Sequence, residues 1–250
     1  MKAMVLAAGM GTRLRPLTND RPKALVEVGG RTMLEITLAR LRAFDIFDVI
    51  INAHHFADMI VEYLAANKYF GMRLEISREE VLLDTGGGLK KAAHFFLADS
   101  GGGAEEPFIL HNVDIVSSID LRRMAKFHLE NEALATLAVQ DRKTSRYLLF
   151  DEGMELCGRR SHGGEDEIAR GSRQAEPLAF AFAGIHTISP RIFSMMSEEG
   201  VFSIITPYLR LAGLGEKIMG FRADEYYWRD LGTPENVRLG AEDIRQKALL

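Results

Sequence analysis

Two glycines and two cations cluster near the start of the chain. They sit in the runs Leu6-Ala7-Ala8-Gly9-Met10-Gly11-Thr12-Arg13-Leu14-Arg15-Pro16 and Arg21-Pro22-Lys23. The apolar stretch Met4 to Ala8 stops at the glycines, so a buried strand is expected to end in a loop of bare backbone. Without a Cβ, such N–H groups can close on an anion. The guanidinium of Arg13 and the ammonium of Lys23 follow within reach, and the four together predict a cradle for a polyphosphate. Neither common phosphate motif is present. A Walker A loop needs Gly-Lys-Ser/Thr where Leu14-Arg15-Pro16 stands, and a dinucleotide fingerprint needs a third glycine at Leu14.

Other chemistry-bearing residues are weaker on their own. The glycines of Asp84-Thr85-Gly86-Gly87-Gly88 can turn N–H groups toward a ligand at a helix start, or Asp84 or Thr85 can simply cap that helix. Asp114 and Asp230 each end an apolar strand, where a lone aspartate usually serves a turn or a cap. His54 and His55 are adjacent and point to different sides of an extended chain, so they read as loop histidines, not as ligands of one ion. His111 reads as structural, and no Ser–His–Asp or Cys–His arrangement is evident.

The elements that must position these groups follow from periodicity. Strands are expected at Lys2 to Ala8, Phe47 to Ala53, Arg73 to Ser77 and Pro107 to His111. Helices are expected from a Thr32 cap through Leu34, Leu38 and Leu41, at Phe56 to Ala66, at Leu89 to Leu97 after the glycines, and at Leu121 to Asn131. This alternation predicts an α/β fold with a mostly parallel sheet, helices on both faces, and ligands at the carboxyl ends of the strands. Further strands are expected at Ala133 to Gln140, Tyr147 to Asp151, Leu178 to Ile188 and Tyr226 to Leu231. Pro190 and Pro234 should each open a helix. The polar run Gly158 to Glu176 is expected to be a mobile excursion, either a lid or a loop with no role. Gly101-Gly102-Gly103 is expected to be a surface loop.

Composition narrows the class. The 250 residues are 47% hydrophobic and 26% charged, with a formal net charge of −4. That is ordinary globular composition, with no cation excess for nucleic acid. The single cysteine, Cys157, allows no internal disulfide and suits a reducing cytoplasm. No signal-peptide shape or membrane-length apolar run is seen, so no membrane or nucleic-acid partner is expected and a cytoplasmic location is. No linker divides the chain, and the oligomeric state is left open.

The N-terminal run resembles the signature of the sugar-phosphate nucleotidyltransferases (nucleotide-sugar pyrophosphorylases), and the likeness continues through Pro22-Lys23-Ala24-Leu25-Val26-Glu27-Val28-Gly29-Gly30. Asn112-Val113-Asp114 stands where that family commonly has Asn-Gly-Asp. Trp228-Arg229-Asp230-Leu231-Gly232-Thr233-Pro234-Glu235 resembles its W-x-D-x-G-T-P-E. The resemblance covers nearly the whole chain and is weakest between Asp141 and Glu176. It implies a three-layer Rossmann-like fold with a mixed, mostly parallel sheet. It also implies a single domain over 1–250, with a nucleotide-binding part of about 1–135 and a sugar-binding part of about 136–230. By this likeness Leu6, Ala7, Ala8, Gly9, Met10, Gly11, Thr12, Arg13, Lys23, Thr85, Gly86, Gly87 and Asn112 contact the nucleotide. Arg13 and Lys23 carry catalysis, Gly184 faces the sugar, and Asp114 with Asp230 holds Mg²⁺. The implied substrates are a nucleoside triphosphate and a sugar 1-phosphate.

Length and the Thr-Gly-Gly-Gly element are most like the N-acetylmuramate 1-phosphate uridylyltransferase type. Mannose 1-phosphate guanylyltransferases, phosphocholine-type cytidylyltransferases and a silent nucleotide-sugar sensor are the alternatives. Val113 departs from the family's glycine and Thr32 from a common proline. No length is expected to remain for a second catalytic domain.

Overall fold

The parallel sheet grows from strands that read as nearly unbroken apolar runs because both of their faces are covered. The structure, a computed structural model, describes residues 1–98, 106–161, 163–170 and 176–247. In chain order its elements are β1 (Lys2–Leu6), β2 (Glu27–Val28), β3 (Arg31–Thr32), α1 (Met33–Ala43), β4 (Asp48–Ala53), α2 (Ala57–Ala66), β5 (Arg73–Arg78), α3 (Asp84–Lys91), α4 (Ala93–Leu97), β6 (Phe108–Asn112), β7 (Ile115–Ser117), α5 (Leu121–Glu130), β8 (Ala135–Gln140), β9 (Arg146–Phe150), β10 (Leu156–Ser161), β11 (Glu167–Ile168), β12 (Leu178–Ile188), α6 (Ile205–Gly213), β13 (Ile218–Arg222), β14 (Trp228–Asp230) and α7 (Pro234–Lys247). Short 3₁₀ turns occur at Thr12–Leu14, Lys23–Leu25, Lys68–Gly71 and Pro190–Ser194.

The main sheet runs β5-β4-β1-β6-β12-β8-β13. β4, β5 and β6 pair parallel around β1, and β13 pairs parallel with β8. Only β12 runs against its neighbours β6 and β8. Neighbouring residues of β1 and β4 feed different cores. Val5, Val49 and Ile51 pack with α1, α2 and α5, whereas Met4 and Ile50 pack with α3 and α6. The result is three layers. Thr32 caps α1 as expected, its side chain accepting from Glu35 N.

Three sequence expectations change. Gly158 to Glu176 is not a bare excursion. β10 pairs antiparallel with β9 and β11 with β10, extending the sheet from the first residues of β12. Its polar composition reflects an edge held by ion pairs, Arg159 with Glu167 and Arg160 with Asp166. Residues 162 and 171–175 of that stretch lie outside the described residues, as does Gly101-Gly102-Gly103. The second change concerns the glycine triplet, which falls within α3 and does not precede it. Third, α6 and β13 had no counterpart in the sequence reading. α6 buries Pro207, Tyr208, Leu209, Leu211 and Ala212, which leaves little polar alternation to detect.

Candidate active site

The carboxyl ends of β1, β4 and β6 meet at one cleft of about 370 Å³. Leu6, Ala8, Gly9, Lys23, Asn112, Asp114 and Thr85 line it, as do Asn52, Leu82, Asp84 and Val201. The bend after β1 is held from beneath by Asn52, whose Oδ1 accepts from Ala7 N at 2.7 Å and from Ala8 N at 3.3 Å. Asn52 in turn donates to Glu79 Oε1 at 2.7 Å, and Glu79 Oε2 accepts from Leu83 N just before α3. Asn52 and Glu79 are 2% and 4% exposed, so this link between two walls of the cleft works where water does not compete. Sequence reading passed over both. A polar residue closing the apolar run Val49 to Ala53 is the signal that could have found Asn52.

The bend closes on itself. Gly11 adopts a left-handed φ of 62°, its carbonyl accepts from Thr18 Oγ1 at 2.9 Å, and a Cβ on it would lie 3.2 Å from Lys23 Cβ. Lys23 therefore stands against the bend, and its ammonium bonds Asp114. Met10, Thr12 and Arg13 are exposed along the rim.

A two-stranded ribbon brings the distant aspartates together. β14 pairs antiparallel with β7, setting Asp230 opposite Ile115, and Leu231 N donates to Asp114 O at 2.8 Å. Burial raises the Asp230 carboxyl above its ordinary pKa and the neighbouring Asp114 carboxylate raises it further. The Gly232 N–H, Lys23 and Arg13 act the other way. Arg13 reaches the same place, since a Cβ on Gly232 would lie 2.8 Å from Arg13 Nη2 and 2.7 Å from Asp230 Oδ1.

Two neighbouring carboxylates, one of them, Asp230, disfavoured in its charged form by burial and by the other, form a donor set that a hard cation satisfies. Mg²⁺ takes one or two protein carboxylates and completes its shell with phosphate and water oxygens. That suits this pair. No group of three or more His, Cys, Asp or Glu able to hold an ion occurs among the described residues.

The glycines of α3 do something other than expected. Gly86 N and Gly87 N donate to Phe202 O at 2.9 and 3.2 Å, and both glycines are buried. Their amides are committed to the chain. The glycines permit close approach of the 200–202 segment, which carries Val201 into the cleft. Thr85 Oγ1 accepts from Ile204 N at 3.0 Å and secures the same segment. Gly184 lies in an irregular stretch of β12 at φ 76°, under Asn112, where a Cβ would come within 3.0 Å of Asn112 Nδ2.

Of the histidines, His54 bonds Glu79 O, and His111 is fully buried with Nδ1 on Asn112 O. Burial and nearby Arg40 push the His111 pKa down to about 4.

Comparison with known proteins agrees with this arrangement. The family described as Nucleotidyl transferase matches residues 2–151. An N-acetylmuramate alpha-1-phosphate uridylyltransferase of Caulobacter vibrioides is 35% identical, across 96% of this chain and 95% of that protein. A mannose-1-phosphate guanylyltransferase of Mycobacterium tuberculosis is 29% identical across 97% of this chain, which spans 64% of that longer relative. Among solved structures, HddC from Yersinia pseudotuberculosis complexed with GMP-PN superposes with a TM-score of 0.73 at 20% identity, covering 97% of this chain and 99% of that one.

Proposed function

The chain belongs to the nucleotidyl transferase family, and on that premise we propose that it transfers a nucleotidyl group from a nucleoside triphosphate to a sugar 1-phosphate, with UTP and an amino-sugar 1-phosphate such as N-acetylmuramate 1-phosphate as the preferred pair. The observation that carries this reading is the meeting of Asp114, Asp230 and Lys23 beside the Gly9–Thr12 bend. The choice of UTP and an amino sugar leans on the Caulobacter relative, similar over nearly its full length.

In this reading a phosphate oxygen of the acceptor attacks the α-phosphorus in line. The bond to the β-phosphate's bridging oxygen breaks, and its electron pair leaves with pyrophosphate. The nucleophile is already anionic, so no strong general base is required. Two anions must meet and a third must depart, so positioning and charge stabilisation carry the rate. The bend amides would hold the triphosphate. Arg13 would offer its fork of donors to the departing pyrophosphate. Lys23 would move from Asp114 onto the α-phosphate. Mg²⁺ held by Asp114 and Asp230 would neutralise phosphate charge and fix the geometry of attack. Thr85, Leu82 and Val201 would border the base, Asn112 would contact the nucleotide in the same cleft, and the Gly184 stretch would border the sugar. The nucleotide part is then about 1–135 and the sugar part about 136–230.

The test is pyrophosphate release with Mg²⁺ across four triphosphates and several sugar 1-phosphates, with phosphocholine as a further acceptor. The fastest release is expected with UTP and N-acetylmuramate 1-phosphate. Nucleotide binding without release from any pair would overturn transfer in favour of a sensor.

A further inference from the structure

Arg142 lies just beyond the carboxyl end of β8, and the resemblance assigned it nothing. Its Nη2 donates to Phe182 O at 2.6 Å, and its guanidinium stands 3.8 Å from the centre of the Trp228 ring. Its Nε is buried and has no hydrogen-bond partner among the described residues. The platform is itself fixed, since Trp228 Nε1 donates to Ala183 O at 2.8 Å. Trp228 and Asp230 are two residues apart on β14, so their side chains leave the same face of the strand. Burial draws the Arg142 pKa down, and the Asp230 carboxylate partly offsets this.

A brace for the β12 irregularity would need only the bond to Phe182. This guanidinium is half-buried and keeps an unused buried donor, an arrangement that costs free energy unless something accepts from it. It also lies over the face of an indole while Nη2 bonds Phe182 O, two contacts that restrict how the fork can turn. Asp230 is close enough to feel its charge, yet no bond between them forms among the described contacts. The group best matched to a fixed, partly desolvated, planar donor fork beside a metal-type carboxylate is a phosphate.

We propose that Arg142, oriented by Trp228, binds the phosphate of the sugar 1-phosphate acceptor and sets it beside Asp230 for attack. This rests on the transfer reading above. The nucleotide's phosphates have the bend, Arg13 and Lys23, whereas the acceptor's phosphate has no other cation assigned on its side. Arg142 would offset the repulsion between two anionic substrates as they approach.

The experiment measures the KM of each substrate separately for wild type, Arg142→Met and Arg142→Lys, with UTP and N-acetylmuramate 1-phosphate as the probe pair. Losing charge-assisted hydrogen bonds should raise the acceptor KM of Arg142→Met by roughly 10- to 150-fold while the UTP KM stays within about two-fold. Arg142→Lys keeps charge without the planar fork and should fall between the two. If the Met variant does not fold, the same split in the Lys variant decides the question. Unchanged acceptor KM, or both KM values rising together, would reduce Arg142 to a brace. A wild type inactive with every pair refutes the transfer reading and this assignment together. An active wild type with unmoved acceptor KM in both variants refutes this assignment alone.

Discussion

Lys23 and Asp114 bond each other at the point where a divalent ion and a phosphate would compete for both. Asp114 is only 8% exposed, so the attraction is weakly screened, and removing either partner leaves a poorly solvated charge. In the proposed reaction that charge acts on the transition state. Lys23→Ala or Asp114→Ala should therefore lower turnover by more than ~100-fold in a protein that still folds. Steady-state pyrophosphate release, with circular dichroism to verify the fold, measures this. A folded Asp114→Ala enzyme of near wild-type rate would remove the metal assignment.

Elements decide what the glycine triplet is for. Helix propensity alone predicts that alanine at Gly87 stabilises α3 by roughly 0.5–1 kcal/mol. The packing says the opposite, because a Cβ there would lie 2.4 Å from the backbone oxygen of Gly200. A backbone atom cannot swing aside as a side chain can. Gly87→Ala should thus destabilise the protein by about 1–3 kcal/mol, as overpacking does. It should also shift Val201 and raise the triphosphate KM. Urea unfolding gives the sign directly, and a stabilised Gly87→Ala protein would mean the 200–202 segment is not held as described.

At the scale of the whole molecule, buried histidines couple the core to pH. His186 is buried against Tyr208 and near His111, and burial first, then His111, pushes its pKa down to about 3. His128 bonds Thr136 and Ser189, and burial with Arg191 nearby pushes it down to about 4. Both favour the neutral form when folded, whereas the unfolded chain takes up protons near the ordinary value of 6.5. Their contribution is fully present above that pH and is lost as pH falls toward the folded values. At ~1.4 kcal/mol per tenfold difference in proton affinity, the loss should reach a few kcal/mol by about pH 4. Urea midpoints at pH 7.5 and 4.5 should separate accordingly, and His128→Gln should narrow the gap. Equal midpoints would contradict it. No helix among the described residues is long and apolar enough to cross a membrane.

What the sequence determined by itself is local or nearly so. The first strand, though it ends at Leu6 and not at Ala8, the Thr32 cap with Glu35, the full extent of β12 and the parallel alternation of the first half all follow from periodicity and backbone chemistry written in consecutive residues. The meeting of Asp114 and Asp230 was only implied by likeness, because no local rule pairs residues so far apart. The β7–β14 ribbon decided it. Tertiary structure alone also decided that the Gly86 and Gly87 amides serve Phe202, that Asn52 and Glu79 tie the two walls of the cleft, that β10 and β11 are sheet, and that Arg142 lies on Trp228. Each depends on which distant group fills the space beside a residue. A hydrogen bond or a close approach across the fold leaves no period in the chain that makes it.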